Sequence, residues 1–282
     1  MAYLPAPAEN EPASDRTSSH DLIRGRYLLS MVISVLAVVF LAAPWPFEVK
    51  AHAILHGICG QTPSHTVSLG GMELPLDNRC VGIFAGLFVT FLILIALGRS
   101  RAAALPTPGA GVLLLVFLGA MAFDGLNSLM TDLGRWDLYS PSNDFRLVTG
   151  WMAGVGLGTV LAMVAGMTLW QQPRTSMRIL PGWWWPLVLL LPCLPAWLLL
   201  ESGSRFVYYP ASLLLIAAAI TAIATLTLCS IVMLRNRDNA YIRFAQLAPL
   251  AVSSGLIATA ILLAMSGGRF WLERTLNLVT PS

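Results

Sequence analysis

The sequence predicts an all-α fold, a polytopic integral membrane bundle of about seven transmembrane helices with a cytoplasmic N-terminus and an extracytoplasmic C-terminus. Three observations predict it. Of 282 residues, 56% are apolar and 11% charged, where an ordinary soluble domain has roughly a quarter of its residues charged. The mean hydropathy of +0.72 is gathered into runs near the ~20 residues that cross ~30 Å of hydrocarbon. Aromatic residues flank those runs at Trp45 and Phe47, Trp136 and Tyr139, Trp183 to Trp185, Tyr208 and Tyr209, and Phe270 and Trp271. Amphipathic rings anchor at the headgroup level in this way. A water-soluble fold is excluded. So is nucleic-acid binding, because the net charge is only +3 and the arginines stand singly or in pairs at helix ends, without a basic stripe.

Residues 1–26 mix Pro, Ser, Glu and Asp with few large apolar side chains, and read as a flexible cytoplasmic tail that cannot bury enough surface to order itself. The first span is Tyr27 to Ala43. It could be mistaken for a secretory signal with Ala51-His52-Ala53 as its cleavage site, but the intervening PWPFEVK carries two prolines and a lysine, which favours an uncleaved helix. Six further spans follow at about Val81–Gly98, Gly109–Met130, Leu147–Trp170, Trp183–Leu200, Val207–Leu234 and Phe244–Met265. With the N-terminus inside, ten Lys and Arg residues fall on the cytoplasmic side and seven outside, in the sense of the positive-inside rule.

The fourth span places small residues every fourth position, at Gly150, Gly154, Gly158, Ala162 and Gly166. Close backbone approach through small residues is the usual source of helix packing in lipid, and Gly82 and Gly86 on the second span offer the matching stripe. In the fifth span Pro186, Pro192 and Pro195 each remove a backbone donor, which predicts a kinked structural helix.

The link from Pro44 to Cys80 holds three of the four histidines and two of the four cysteines. His56/Cys59 and Asp77/Cys80 face each other across 17 intervening residues, a layout reminiscent of structural zinc sites built from two such pairs. The competing reading is a Cys59–Cys80 disulfide, worth ~3 kcal/mol by loop closure in an oxidising compartment. A second polar group gathers Asp124, Asn127 and Asp132 at the end of the third span with Asn143, Asp144, Arg146 and Thr149 at the start of the fourth. Asp124 lies within the apolar run, where an ionisable group needs a partner. Arg146, entering from the same face, is its expected counter-ion.

At these residues the chain resembles a bacterial and archaeal family of predicted membrane proteins, the domain of unknown function 2085. Its pattern is H-x2-C-H-Q, L-C-x-R-C-x-G, D-G-x-N/Q and N-x2-R-x2-T-G-x3-G, in that order. The matching residues are His56, Cys59 and Gln61; Arg79, Cys80 and Gly82; Asp124, Gly125 and Asn127; then Asn143, Arg146, Thr149, Gly150 and Gly154. The resemblance covers roughly residues 50 to 160 and implies nothing about the last three spans. Gly60 stands where the pattern has His, and Asp77 where it has Cys. These departures weaken a metal site and favour the disulfide.

The expected organisation is a tail (1–26), a family-like region (27–170) with its extracytoplasmic loop (44–80), and three further helices with a short tail (171–282). No nucleophile with its base, HExxH, paired carboxylates at catalytic spacing or Gly-rich phosphate loop occurs, each of which would mark one class of enzyme. The expected function is therefore a non-catalytic accessory or structural subunit of a larger complex in the bacterial cytoplasmic membrane, in contact with lipid and other subunits. No cofactor is firmly expected. The alternative is a metal-dependent membrane enzyme with its site on the outer face, holding zinc or another divalent ion on His56, Cys59, Asp77 and Cys80.

Overall fold

The computed structural model describes residues 42–136, 138–171 and 173–276, with positions 27, 31, 32, 34, 35 and 38–40. The expected tail and positions 28–30, 33, 36, 37 and 41 of the expected first span, Tyr27 to Ala43, lie outside the described residues.

Eight helices follow one another among the described residues. They are α1 (Phe47–Leu55), α2 (Asn78–Ala96), α3 (Pro108–Asp132), α4 (Asn143–Leu169), α5 (Trp185–Leu190), α6 (Cys193–Glu201), α7 (Arg205–Leu234) and α8 (Phe244–Thr275). Five of them, α2, α3, α4, α7 and α8, are long and apolar enough to cross a membrane. Two short ladders join the links: β1 (Ser68–Leu69) with β2 (Met72–Glu73), antiparallel, and β3 (Ala102–Ala104) with β4 (Arg174–Arg178), parallel.

Helix ends follow local chemistry. After α2, Gly98 adopts φ 71°, Arg99 N–H donates to Leu94 O (2.8 Å) and Gly98 N–H to Ile95 O (2.9 Å). This is the paired left-handed cap that releases a helix into a turn. Asn236 (φ 49°) does the same after α7, with Arg237 N–H on Val232 O at 3.0 Å.

The expected span Trp183–Leu200 is an apolar segment, Trp185–Glu201, made of two short helices, α5 and α6, that meet at Pro192. Proline has no N–H for the carbonyl one turn back, and the chain tightens there: Leu191 N–H bonds Val188 O (3.2 Å) and Leu194 N–H bonds Leu191 O (3.1 Å). The link from Pro44 to Cys80 is also more ordered than a loop, since it contains α1 and the β1–β2 hairpin.

The most buried span is α4, and it packs parallel to α2. A Cβ on Gly86 would lie 2.8 Å from Trp151 O, one on Gly154 2.6 Å from Ile83 O, and one on Gly158 2.6 Å from Leu87 O. Gly82 and Gly150 make still closer approaches, to Leu147 O and Arg79 O. Only glycine admits this separation, so the two helices meet backbone to backbone. Against α3 the α4 helix runs antiparallel, with Arg146 at Ser128 and Gly156 at Leu118. The first turns of α2 and α4 thereby meet the last turns of α3 at one end of the bundle.

Candidate functional site at one end of the bundle

Asp124, 2% exposed, is the centre of the first cluster. Its Oδ2 accepts from Arg79 Nη2 at 2.6 Å, and its Oδ1 accepts from the Tyr139 hydroxyl at 2.6 Å. The Thr149 hydroxyl lies 3.2 Å from Oδ2, although its proton has a closer acceptor in Phe145 O at 2.7 Å. Asn127 holds the link that delivers the tyrosine: its Nδ2 donates to Tyr139 O (2.9 Å) and its Oδ1 accepts from Leu138 N–H (2.8 Å). Burial, then the hydrogen bond to the Asp124 carboxylate, pushes the Tyr139 phenol up to about 12. A phenol that donates to a carboxylate loses that bond on ionising and resists doing so.

The counter-ion of Asp124 is therefore Arg79, not the expected Arg146. The Arg146 side chain turns instead to Ser128 Oγ, 3.1 Å from Nε and 2.9 Å from Nη2, and to Asn143 Oδ1, 3.0 Å from Nη1. Asn78 Nδ2 ties the same turn by donating to Asn143 O at 3.2 Å. Arg79 takes the carboxylate because the glycine seam draws α2 closest to α4, bringing the first turn of α2 over α3.

The second cluster closes the link before α2. Gln61, in the left-handed region at φ 54°, donates from Nε2 to His52 O (3.0 Å) and Pro75 O (2.9 Å). Its Oε1 consequently faces His56 Nδ1 at 2.8 Å, while His56 Nε2 meets Glu273 Oε2 at 2.8 Å. The His56 ring is thus held between the Gln61 amide and the Glu273 carboxylate. It stacks on Phe270, centroids 4.0 Å apart. Arg269 bonds Glu273 Oε1 (2.7 Å), His56 O (2.7 Å), Gly60 O (3.2 Å) and also Cys59 O. The last two turns of α8 thus hold the link from above.

Cys59 and Cys80 are adjacent, and both are thiols. The expected disulfide bond is absent from the structure, whose two sulfurs interact by a hydrogen bond. Asp77 N–H, at the start of α2, donates to Cys59 Sγ at 3.3 Å. The hydrogen bond from Cys80 is the main cause that lowers the Cys59 thiol below its ordinary value, against an opposing effect of burial. The Asp77 carboxylate is engaged elsewhere, accepting from Thr62 N–H at 2.7 Å and lying 3.3 Å from the Thr66 hydroxyl.

The expected ligand set, His56, Cys59, Asp77 and Cys80, lies within this cluster. The imidazole is committed to Gln61 and Glu273, and the Asp77 carboxylate to the turn at Thr62. Among the described residues, no group of three or more His, Cys, Asp or Glu is placed to hold a metal ion. Residues that sequence reasoning missed are Glu273, Arg269, Ser128 and Tyr139. Tyr139 and Phe270 read as interfacial anchors, yet their rings belong to the two clusters. For Tyr139, its position between Asp124 and Arg146 in a short link is the one available signal.

Five long apolar helices with ion pairs and hydrogen-bonded polar groups gathered at one end define a helical membrane protein. The chain belongs to the family of the domain of unknown function 2085, described as a predicted membrane protein, whose model matches residues 59–160. It is 32% identical over 114 residues to an uncharacterized protein of Methanothermobacter thermautotrophicus, covering 40% of this chain and 91% of that one. No solved structure matches. The matched region runs from Cys59 into α4 and so contains the Arg79–Asp124 pair and the α2–α4 seam at Gly82, Gly86, Gly150, Gly154 and Gly158.

Proposed function

We propose that the chain is a non-catalytic accessory or structural subunit of a larger complex in a bacterial cytoplasmic membrane. It has seven spans, a cytoplasmic N-terminus and an outer loop closed by a Cys59–Cys80 disulfide in the oxidising compartment. The observation that carries the reading is the saturation of Asp124. A catalytic acid or base needs a lone pair or proton directed at substrate, whereas Asp124 is filled by Arg79 and Tyr139. The ring of His56 is likewise used on both sides. Such mutually satisfied networks hold helices in one register. Partners and lipid would contact the outward faces of α3 and α8, which expose Val112, Leu115, Leu126, Leu256 and Leu263.

Extraction from native membranes in mild detergent tests it. A stoichiometric membrane-protein companion that survives gel filtration is expected, and recovery of the chain alone would overturn the subunit reading. Tags at the two termini should be cleaved by protease from opposite faces of sealed vesicles. Cleavage of both from one face would overturn the seven-span topology.

A further inference from the structure

We propose that Cys59 and Cys80 form a redox-active dithiol that exchanges reversibly with external disulfides, so that the closing bond of the outer loop is made and broken in use. The inference rests on the disulfide reading above and names its regulation.

The loop does not depend on the bond for its shape. With both sulfurs as thiols, Arg269 still bonds His56 O, Cys59 O and Gly60 O. Gln61 bonds His52 O and Pro75 O, and Asp77 accepts from Thr62 N–H. A disulfide whose reduced form is already held in place gains little from closing the loop. Stabilising the dithiol makes the disulfide a better oxidant and easier to reduce. A purely structural crosslink belongs instead where other restraints are few.

The two sulfurs also differ in a way that suits exchange. Cys59 is 6% exposed and accepts Asp77 N–H at the beginning of the 19-residue α2. Amide donors at a helix N-terminus stabilise a thiolate. Cys80 is partly exposed where Cys59 is buried, and we assign it the first attack on an outside molecule. In oxidation, the Cys80 thiol releases its proton to water, and the resulting thiolate attacks one sulfur of an external disulfide. The S–S bond of that molecule breaks, and its first thiol leaves. Cys59 then loses a proton and attacks Cys80 Sγ in the mixed disulfide, expelling the second thiol. Two thiols and one disulfide become one disulfide and two thiols, so electrons and protons balance. Reduction is the reverse, with Cys59 as the stabilised leaving group.

The full chain in detergent, equilibrated with mixtures of reduced and oxidised glutathione and quenched by alkylation, provides the test. Peptides covering residues 51–98 are weighed. The proportion of disulfide to dithiol should change about tenfold for each tenfold change in the ratio of oxidised glutathione to the square of reduced glutathione. Thiols alkylated at every ratio would overturn both this inference and the disulfide-closed loop. A disulfide that persists at every ratio would overturn the exchange while leaving the closed loop standing. In C59S the resolving sulfur is gone, and one glutathione should remain on Cys80. Absence of that adduct would overturn the order of attack.

Discussion

Arg79 Nη2 of α2 lies 2.6 Å from Asp124 Oδ2 of α3, and this pair joins two helices whose main mutual support is a third, α4. Removing one partner of a buried ion pair leaves the other uncompensated, at a cost on the order of 3 kcal/mol. D124A should therefore lower the thermal midpoint in detergent sharply. A double-mutant cycle should give a coupling between Arg79 and Asp124 that clearly exceeds any between Arg146 and Asp124. Equal couplings would return Arg146 to the role of counter-ion.

The glycine seam makes a sharper mutational contrast. G154A places a methyl 2.6 Å from Ile83 O, and overpacking of this sort costs about 1–3 kcal/mol. G119A on α3 meets nothing within 4 Å and relieves the entropic penalty of glycine in a helix. G86A and G154A should melt earlier than wild type, whereas G119A should melt at or above it. Matched melting of G154A and G119A would refute the backbone contact.

Arg269 reaches the link from α8 as a charged donor to three carbonyls, and hydrogen bonds to charged groups contribute roughly 1.5–3 kcal/mol. R269A should accelerate alkylation of Cys59 by about tenfold or more, since every ~1.4 kcal/mol is a factor of ten in local opening. An unchanged alkylation rate would show that α8 does not restrain the link.

Tyr139 predicts an alkaline limit. Its phenol is raised from 10 to about 12 in the folded chain, first by burial and then by the Asp124 carboxylate. The unfolded chain releases this proton at the lower pH, so the contribution is whole below pH 10 and is lost as pH rises towards 12. Melting followed from pH 9 to 12 should show a steeper decline for wild type than for Y139F. Parallel declines would place the alkaline loss elsewhere.

Much of the bundle is legible in the sequence because hydropathy and small-residue spacing act within one helix. The ranges around Val81, Gly109, Leu147, Val207 and Phe244 read as spans from apolar length alone, and the structure has long helices there. At Trp183–Leu200 the prolines mark a break within an apolar run, and the structure places it at Pro192. Loop hydropathy says nothing of α1, a short helix held against α7 and α8 by contacts such as Phe47 with Tyr208 and the Ser266 hydroxyl on Ile54 O.

The sequence by itself determines a membrane helix bundle, the positions of its long spans, and the residue types concentrated at one end. Partners were decided only by tertiary structure. Asp124 could pair with Arg79 or Arg146, both at helix starts, and the choice follows from the close approach of α2 to α4 rather than from spacing along the chain. His56 finds Glu273 217 residues away, a separation over which no local periodicity carries information. Hydropathy decides which segments leave water, but the register between packed helices decides which buried charges meet.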